Sequence, residues 1–484
     1  MNQSASMSGA NQLRQDSLGV GAITFLVVSA AAPLTAVAGG VPLAMLLGNG
    51  PGIPAAFLFV TALLLLFAVG YVAMSRYITR AGAFYTYTTK SFGGVWGSIA
   101  ALIAILAYNC MQIGLYGLFG AATAGLFAGI GVDLPWWVWS YLGVAIVAVL
   151  GYRSIDLSTK ILGLLVLAEY AIVLIIDFAI ASKGGTNGIS LSSSFSPSAF
   201  FSGSPAIGIL FCFAAFIGFE STTIYREEAR NPSVTVPRAT YISVLIIGVF
   251  YMLTSWLMVN GEGADKLVPT LQSLADPTTF LFGLAERYVG AWTNPVMSVL
   301  LVTSLFAGIL AFHNAVARYM YVAGRSGLLP AALGKTHAQF KSPYIASITQ
   351  SVIAFAVITI FVVTKQDPVL ALFSWLTNVA TLAIVVLMAL TALAIYVFFK
   401  QNPQLESNLF VTKISPLVSG ALLAILVVFI TWNFSGIAGA NGIMAWFLPS
   451  LVVIAGLIGY VLALRLRAAN PSAFSELGKM TNPA

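Results

Sequence analysis

Charge is what this chain has least of. Only 8% of its residues are Asp, Glu, Lys or Arg, where a soluble domain carries about 25%. Histidine is rarer still, with only His313 and His337. Neither has a second ligand at metal-binding spacing, so no metal and no cofactor is expected. There is also no cluster of His, Asp and Glu of the kind a membrane-embedded enzyme uses, which argues against catalysis. The two cysteines, Cys110 and Cys212, sit inside apolar runs. They bury there as small hydrophobes and carry no information on redox compartment. Residues 1–17 include Arg14 and Asp16 but lack the charged start and cleavage site of a signal peptide.

What the chain has in quantity is apolar surface. Hydrophobic residues make up 59%, and the mean hydropathy is +0.95. This composition reads as one polytopic, all-α membrane domain. Windows of about 20 apolar residues predict twelve spans. They cover 19–47, 52–75, 95–126, 135–152, 157–181, 203–228, 237–259, 293–322, 343–363, 368–399, 415–433 and 444–466. Residues 276–290 read as a surface amphipathic helix. Of the 22 Lys and Arg residues, eighteen then fall on one side, and four (Lys183, Lys266, Arg287 and Lys365) on the other. By the excess of cytoplasmic positive charge, both termini are expected inside the cell. The net charge of +7 is accordingly read as topology rather than nucleic-acid affinity. Residues 1–17 and 467–484 would be cytoplasmic tails around a membrane body at 18–466.

One stretch organises the rest: Phe216-Ile217-Gly218-Phe219-Glu220. The apolar run before it, from Pro205 to Ile217, is too short to span. At ~1.5 Å per residue it covers about two thirds of a ~30 Å hydrocarbon core. The span must therefore include a glycine and a carboxylate. Both are tolerated only where they face protein or a watery cavity, as in the broken helices of secondary transporters. The first span carries a comparable interruption, Ala32-Pro33-Leu34-Thr35, followed by Gly39, Gly40 and Pro42. Matching interruptions in two five-span halves point to an inverted repeat. The halves would be 19–181 and 203–399, with two further spans at 415–466.

Four motifs then carry a family resemblance. They are Ala81-Gly82-Ala83-Phe84-Tyr85-Thr86-Tyr87 and the 216–220 stretch with Glu227-Glu228-Ala229-Arg230-Asn231-Pro232. The others are Ala317-Arg318-Tyr319-Met320-Tyr321 with Gly324-Arg325-Ser326-Gly327, and Ser342-Pro343-Tyr344. Over nearly all of 18–466 the chain resembles the amino acid–polyamine–organocation permeases. The resemblance implies a leucine-transporter-type fold with broken helices 1 and 6. It also implies uptake of an amino acid or related amine across the cytoplasmic membrane, as the first, second, sixth and seventh spans rock against the others. Exchange and polyamine import are the rival readings within that class; a non-transporting nutrient sensor or a membrane enzyme lies outside it. The chain departs from the family twice. Ser29-Ala30-Ala31-Ala32-Pro33 replaces the glycine-rich break of many members, closer to the putrescine-importer branch. Ala214 stands where an aromatic gate is common.

The expected substrate site therefore comprises Ala32, Pro33, Leu34 and Thr35 of the first span, with Phe213, Phe216, Ile217, Gly218, Phe219 and Glu220 of the sixth. Tyr108 and Gln112 of the third span share a helical face and would join it. Glu220 would meet a substrate ammonium or cap its own half-helix. Phe213, Phe216, Phe219 and Tyr108 would close over the substrate. Glu169 is expected to exchange the coupling proton, since burial disfavours an ionised carboxyl; sodium is the alternative ion. Asp177, nearer the outer surface, is placed at the membrane interface or in the outer vestibule. His313, Asn314, Trp375 and Asn378 are less specific signals, equally explained as interhelical polar contacts. Beyond a small substrate, a coupling ion and membrane lipids, no nucleic acid and no obligate protein partner is expected.

Overall fold

A computed structural model describes residues 18–78, 83–153, 159–220, 222–223, 229–340, 342–437 and 442–479. Among these the chain is helical, and its only β feature is an isolated parallel bridge between Leu18 and Ala229. Nine helical stretches among the described residues are long and apolar enough to cross a membrane. Each overlaps one of the predicted windows, and most extend a few residues beyond it. The fourth window holds a further helix, Trp136–Arg153. The first and sixth windows hold only shorter apolar helices.

In chain order, α1 is Val20–Ala30. A π-helical turn, Thr35–Gly40, follows and leads into α2, Val41–Leu47. Next come α3 (Ile53–Ser75), α4 (Ala83–Phe92), α5 (Gly94–Ala128), α6 (Trp136–Arg153) and α7 (Thr159–Lys183). α8 is Pro205–Ala214, α9 is Pro232–Glu262, α10 is Thr293–Arg325, α11 is Tyr344–Val363 and α12 is Ser374–Gln401. α13 (Ser415–Trp432), α14 (Ile443–Ala469) and a terminal α15 (Pro471–Lys479) complete the described chain. The expected surface helix is a 3₁₀ turn at Pro277–Thr279 running into Phe280–Tyr288, whose Phe280, Leu281 and Leu284 are buried.

The long α5 is the axis of the body, packed against α4, α6, α10, α12 and α14. A second group forms around α3, which contacts α8, α9 and α13; α1 lies on α9. Outside these groups the surface is strongly apolar. Leu142, Ile146 and Val149 of α6 and Leu167, Leu174 and Phe178 of α7 are exposed. In water this much exposed apolar surface would drive aggregation. An integral membrane protein tolerates such a surface, because the bilayer interior is itself apolar.

On the face opposite the Leu18–Ala229 bridge, two loops fuse through glycines. Ser204 N donates to Gly48 O (3.0 Å) and Asn49 Nδ2 to Phe200 O (2.9 Å). A Cβ on Gly52 would lie 2.2 Å from Ala199 O, one on Gly203 2.4 Å from Gly48 O, and one on Gly48 2.7 Å from Gly208 Cα. The loop after α2 and the entry to α8 thus meet closely, with the Asn49 side chain filling the seam and no room for a Cβ at these glycines. Gly52→Ala is expected to lower stability by about 1–3 kcal/mol through overpacking. Gly40→Ala, whose Cβ meets nothing within 4 Å, should leave it unchanged; thermal unfolding of both purified variants checks the contrast.

Candidate functional site

The two interrupted segments meet inside the bundle, and each interruption is held by a carboxylate. In the first, α1 stops because Ala32 takes φ +45° and Pro33 has no N–H to continue the ladder. Ala31 N and Ala32 N bond back to Val27 O (3.2 Å) and Ser29 O (3.1 Å). The next donor, Leu34 N, leaves the helix and reaches Glu169 Oε2 on α7 at 3.2 Å. That same oxygen accepts from Ser304 Oγ of α10 at 2.8 Å. Thr35 Oγ1 donates to Ser304 Oγ at 3.1 Å. Glu169 therefore ties the broken segment to two neighbouring helices.

At the second interruption Gly218 has φ +113°, open to glycine without strain. Its N–H donates to Glu220 Oε2 at 3.0 Å. The other carboxylate oxygen of Glu220 accepts a short hydrogen bond from the Tyr108 hydroxyl of α5. Glu220 is fully buried, and its backbone carbonyl accepts from Thr223 Oγ1 (2.9 Å) and Tyr71 OH (3.3 Å). Tyr87 OH donates to Tyr71 O at 3.0 Å, and the two rings stack with centroids 4.6 Å apart. This polar cluster lies beneath the break and links α3, α4 and α5 to it.

Between the breaks is a cavity of ≈ 70 Å³, smaller than the roughly 300–1,000 Å³ of a drug-sized ligand's pocket. Ala31, Ala32 and Thr35 border it on one side, and Ala214, Ala215 and Ile217 on the other. Rings of Phe57, Phe211, Phe312 and Phe373 form much of the remaining wall. Thr35 and Thr377 are the only polar side chains on it among the described residues.

Of the residues expected at the site, Ala32, Thr35 and Ile217 line this cavity. Pro33, Leu34, Gly218 and Glu220 belong to the breaks but not to its wall. Phe213, Phe216 and Phe219 pack into the core instead; the rings on the cavity come from four other positions. Gln112 turns away, its Nε2 lying 3.2 Å from His313 Nδ1, while its Oε1 accepts from Gln350. His313 Nε2 meets Ser347 Oγ at 2.8 Å. These contacts make a polar knot between α5, α10 and α11. Asn378 donates to its own helix at Ser374 O (2.7 Å), and Trp375 sits against Phe361. Asn314, on α10, is absent from the cavity wall too. Asp177 corrects an expectation: it is buried between α7 and α9, accepting from Thr254 Oγ1 at 2.7 Å, not in a vestibule. Residues 224–228 of the sixth segment lie outside the described residues.

The overall arrangement matches a crystal structure of a mutant manganese transporter from Eremococcus coleocola, with a TM-score of 0.59 at 14% identity. The match covers 98% of this chain and 99% of that one. At that identity the likeness speaks for fold alone. The family model described as amino acid permease matches residues 18–460. The chain belongs to the amino acid permease family. Among relatives of this family member, the branched-chain amino acid permease BcaP of Bacillus subtilis is 23% identical over 62% of this chain and 65% of its own length. BcaP of Lactococcus lactis is 27% identical over 60% and 64%. The low-affinity putrescine importer PlaP of Escherichia coli is 24% identical over 63% and 67%. The aligned region thus spans about two thirds of these relatives.

Removing the Tyr108 hydroxyl leaves one oxygen of a buried carboxylate unpartnered. Tyr108→Phe is expected to cost about 1–3 kcal/mol, read as a lower melting temperature in detergent. Asn378→Ala, whose amide bonds only within its own helix, should change it less.

Proposed function

We propose that the chain is a secondary transporter that takes up an amino acid or related amine across the cytoplasmic membrane. The observation that carries this is the pair of interrupted helices facing one apolar cavity deep in the bundle. Irregular backbone at membrane depth is costly, and lining a binding cavity is the use that accounts for it. Twelve spans arranged as two inverted five-span repeats plus two, with both termini cytoplasmic, agree with the charge distribution. Transport follows by alternating access, as the group around α3 moves against the group around α5.

The coupling ion in this reading is a proton carried by Glu169. As a carboxylate, Glu169 accepts from both Leu34 N and Ser304 Oγ through one oxygen. Protonation weakens it as an acceptor for the Leu34 amide. The first break is then freed to rearrange, and proton binding and substrate access are linked. Glu220 has a different task. It satisfies the second break and joins it to α5 through Tyr108, a contact between the two groups that inward opening must loosen.

Uptake into proteoliposomes tests this. Glu169→Gln should abolish accumulation driven by an inward proton gradient while preserving exchange of internal for external substrate. Gradient-driven accumulation at the unmodified rate would remove Glu169 from coupling. Strict dependence on internal substrate in the unmodified protein would favour an exchanger. Glu220→Gln should stop both activities while the protein still inserts.

A further inference from the structure

Four carboxyl side chains are buried among the described residues: Glu169, Asp177, Glu220 and Glu262. Three are well supplied with donors. Glu169 accepts from Leu34 N and Ser304 Oγ, and Glu220 from Gly218 N and the Tyr108 hydroxyl. Glu262 pairs with Arg287 at 2.8 Å and accepts from Thr270 Oγ1 at 2.7 Å. Asp177 is the exception. Its Oδ2 accepts from Thr254 Oγ1 at 2.7 Å, and its Oδ1 is buried with no partner among the described residues.

The titratable groups around it are engaged elsewhere or lie far along their helices. α7 packs against α1, α9, α10 and the Phe280–Tyr288 helix. α1 has no titratable side chain. On α9, Tyr251 donates to Ala31 O and Glu262 is held by Arg287, while Arg238 and Tyr241 lie toward the other end. α10 has none from Thr293 to Phe312; His313 sits in the polar knot, and Arg318, Tyr319, Tyr321 and Arg325 follow it. On the Phe280–Tyr288 helix, Glu286 accepts from Asn294, and the Tyr288 hydroxyl donates to Gly261 O. On α7 itself, Lys183 donates to Tyr288 O, and Lys160 lies at the far end. The Tyr170 hydroxyl, about two turns before Asp177, is also buried without a partner.

A buried carboxylate with one donor and no counter-charge is costly. The neutral acid avoids that cost. It also keeps the Thr254 contact, because a hydroxyl accepts as well as donates. Position matters equally. α7 lies between the two helical groups, against α10 on one side and α9 on the other. Asp177 sits in the seam with α9, which the motion proposed above would open. Water admitted there would solvate the carboxylate and take the proton.

We infer that Asp177 is a second proton site, distinct from Glu169: it is a neutral acid while α7 and α9 are closed over it, and it ionises when they part. This rests on the movement in the transport reading and adds a site to it. The proton favours the closed seam, so closure is complete at low pH and lost as pH rises.

Spin labels on Leu174→Cys and Val249→Cys, both exposed positions, report the width of the seam in nanodiscs; the two native cysteines are buried. The full-length protein also carries Glu169→Gln, which removes that carboxyl's own titration. As pH rises, the ratio of short to long distances should fall about tenfold per pH unit over its steep part, the slope of one linked proton. With Asp177→Asn added, the ratio should not vary with pH. Asp177→Leu is the second neutral variant, since an apolar side chain suits a buried seam, and it should behave alike. Infrared spectra at low pH should show a protonated-carboxyl band that persists in Glu169→Gln and disappears in either Asp177 variant. A seam that ignores pH, an undiminished pH response in the neutral variants, or no such band would each overturn the inference. A pH-insensitive seam with uptake of radiolabelled leucine or putrescine by the unmodified protein would remove the site and leave the transport reading intact. A pH-driven seam with neither taken up would leave the site standing and count against transport.

Discussion

A polypeptide inside a bilayer cannot leave its amide and carbonyl groups unpaired, and this chain interrupts two helices in the interior of the bundle. The rest of the architecture answers that constraint. Glu169 and Glu220 each take up a backbone amide that the interruption releases. Each carboxylate then needs further donors, and Ser304 and Tyr108 supply them from α10 and α5. Two local defects in the backbone ladder thereby become two points of contact with the surrounding helices. A buried carboxylate is expensive, so its presence at both breaks marks where the fold tolerates expense.

Much of this was readable beforehand. Composition demanded a membrane protein, and the windows located the long helices because a 20-residue apolar run has few alternatives in an 8%-charged chain. The interruptions were visible as Pro33 and as the close succession of Gly218 and Glu220. Legibility ended at orientation. α5 is packed by neighbours on nearly all sides, so helical spacing could place Tyr108 and Gln112 near each other without saying which partner each would find. Tyr108 met Glu220, while Gln112 met His313 and Gln350. Asp177 was placed outward by its distance along α7, but Thr254 on α9 gives it a buried partner.

The cavity rings were the least legible part. Phe57, Phe211, Phe312 and Phe373 come from four separate helical segments. Nothing in their local sequence sets them apart from the other 28 phenylalanines of the chain's 32. Polar residues in apolar runs announce themselves; apolar ones do not. Sequence reasoning therefore named residues at the breaks, including Ala32, Thr35 and Ile217 of the cavity wall, but not the rings that complete it. The two sets are different because polar groups here serve the backbone first.

The glycine contacts between the loop after α2 and the entry to α8 restrict how the molecule can move. Gly48, Gly52, Gly203 and Gly208 bring these backbones together, with the Asn49 side chain bridging them. The far halves of both interrupted segments are consequently riveted into one piece at that end. A path to the cavity from that side has to part this joined piece from the helices facing it, since splitting the rivet would expose the very amides and carbonyls it keeps paired.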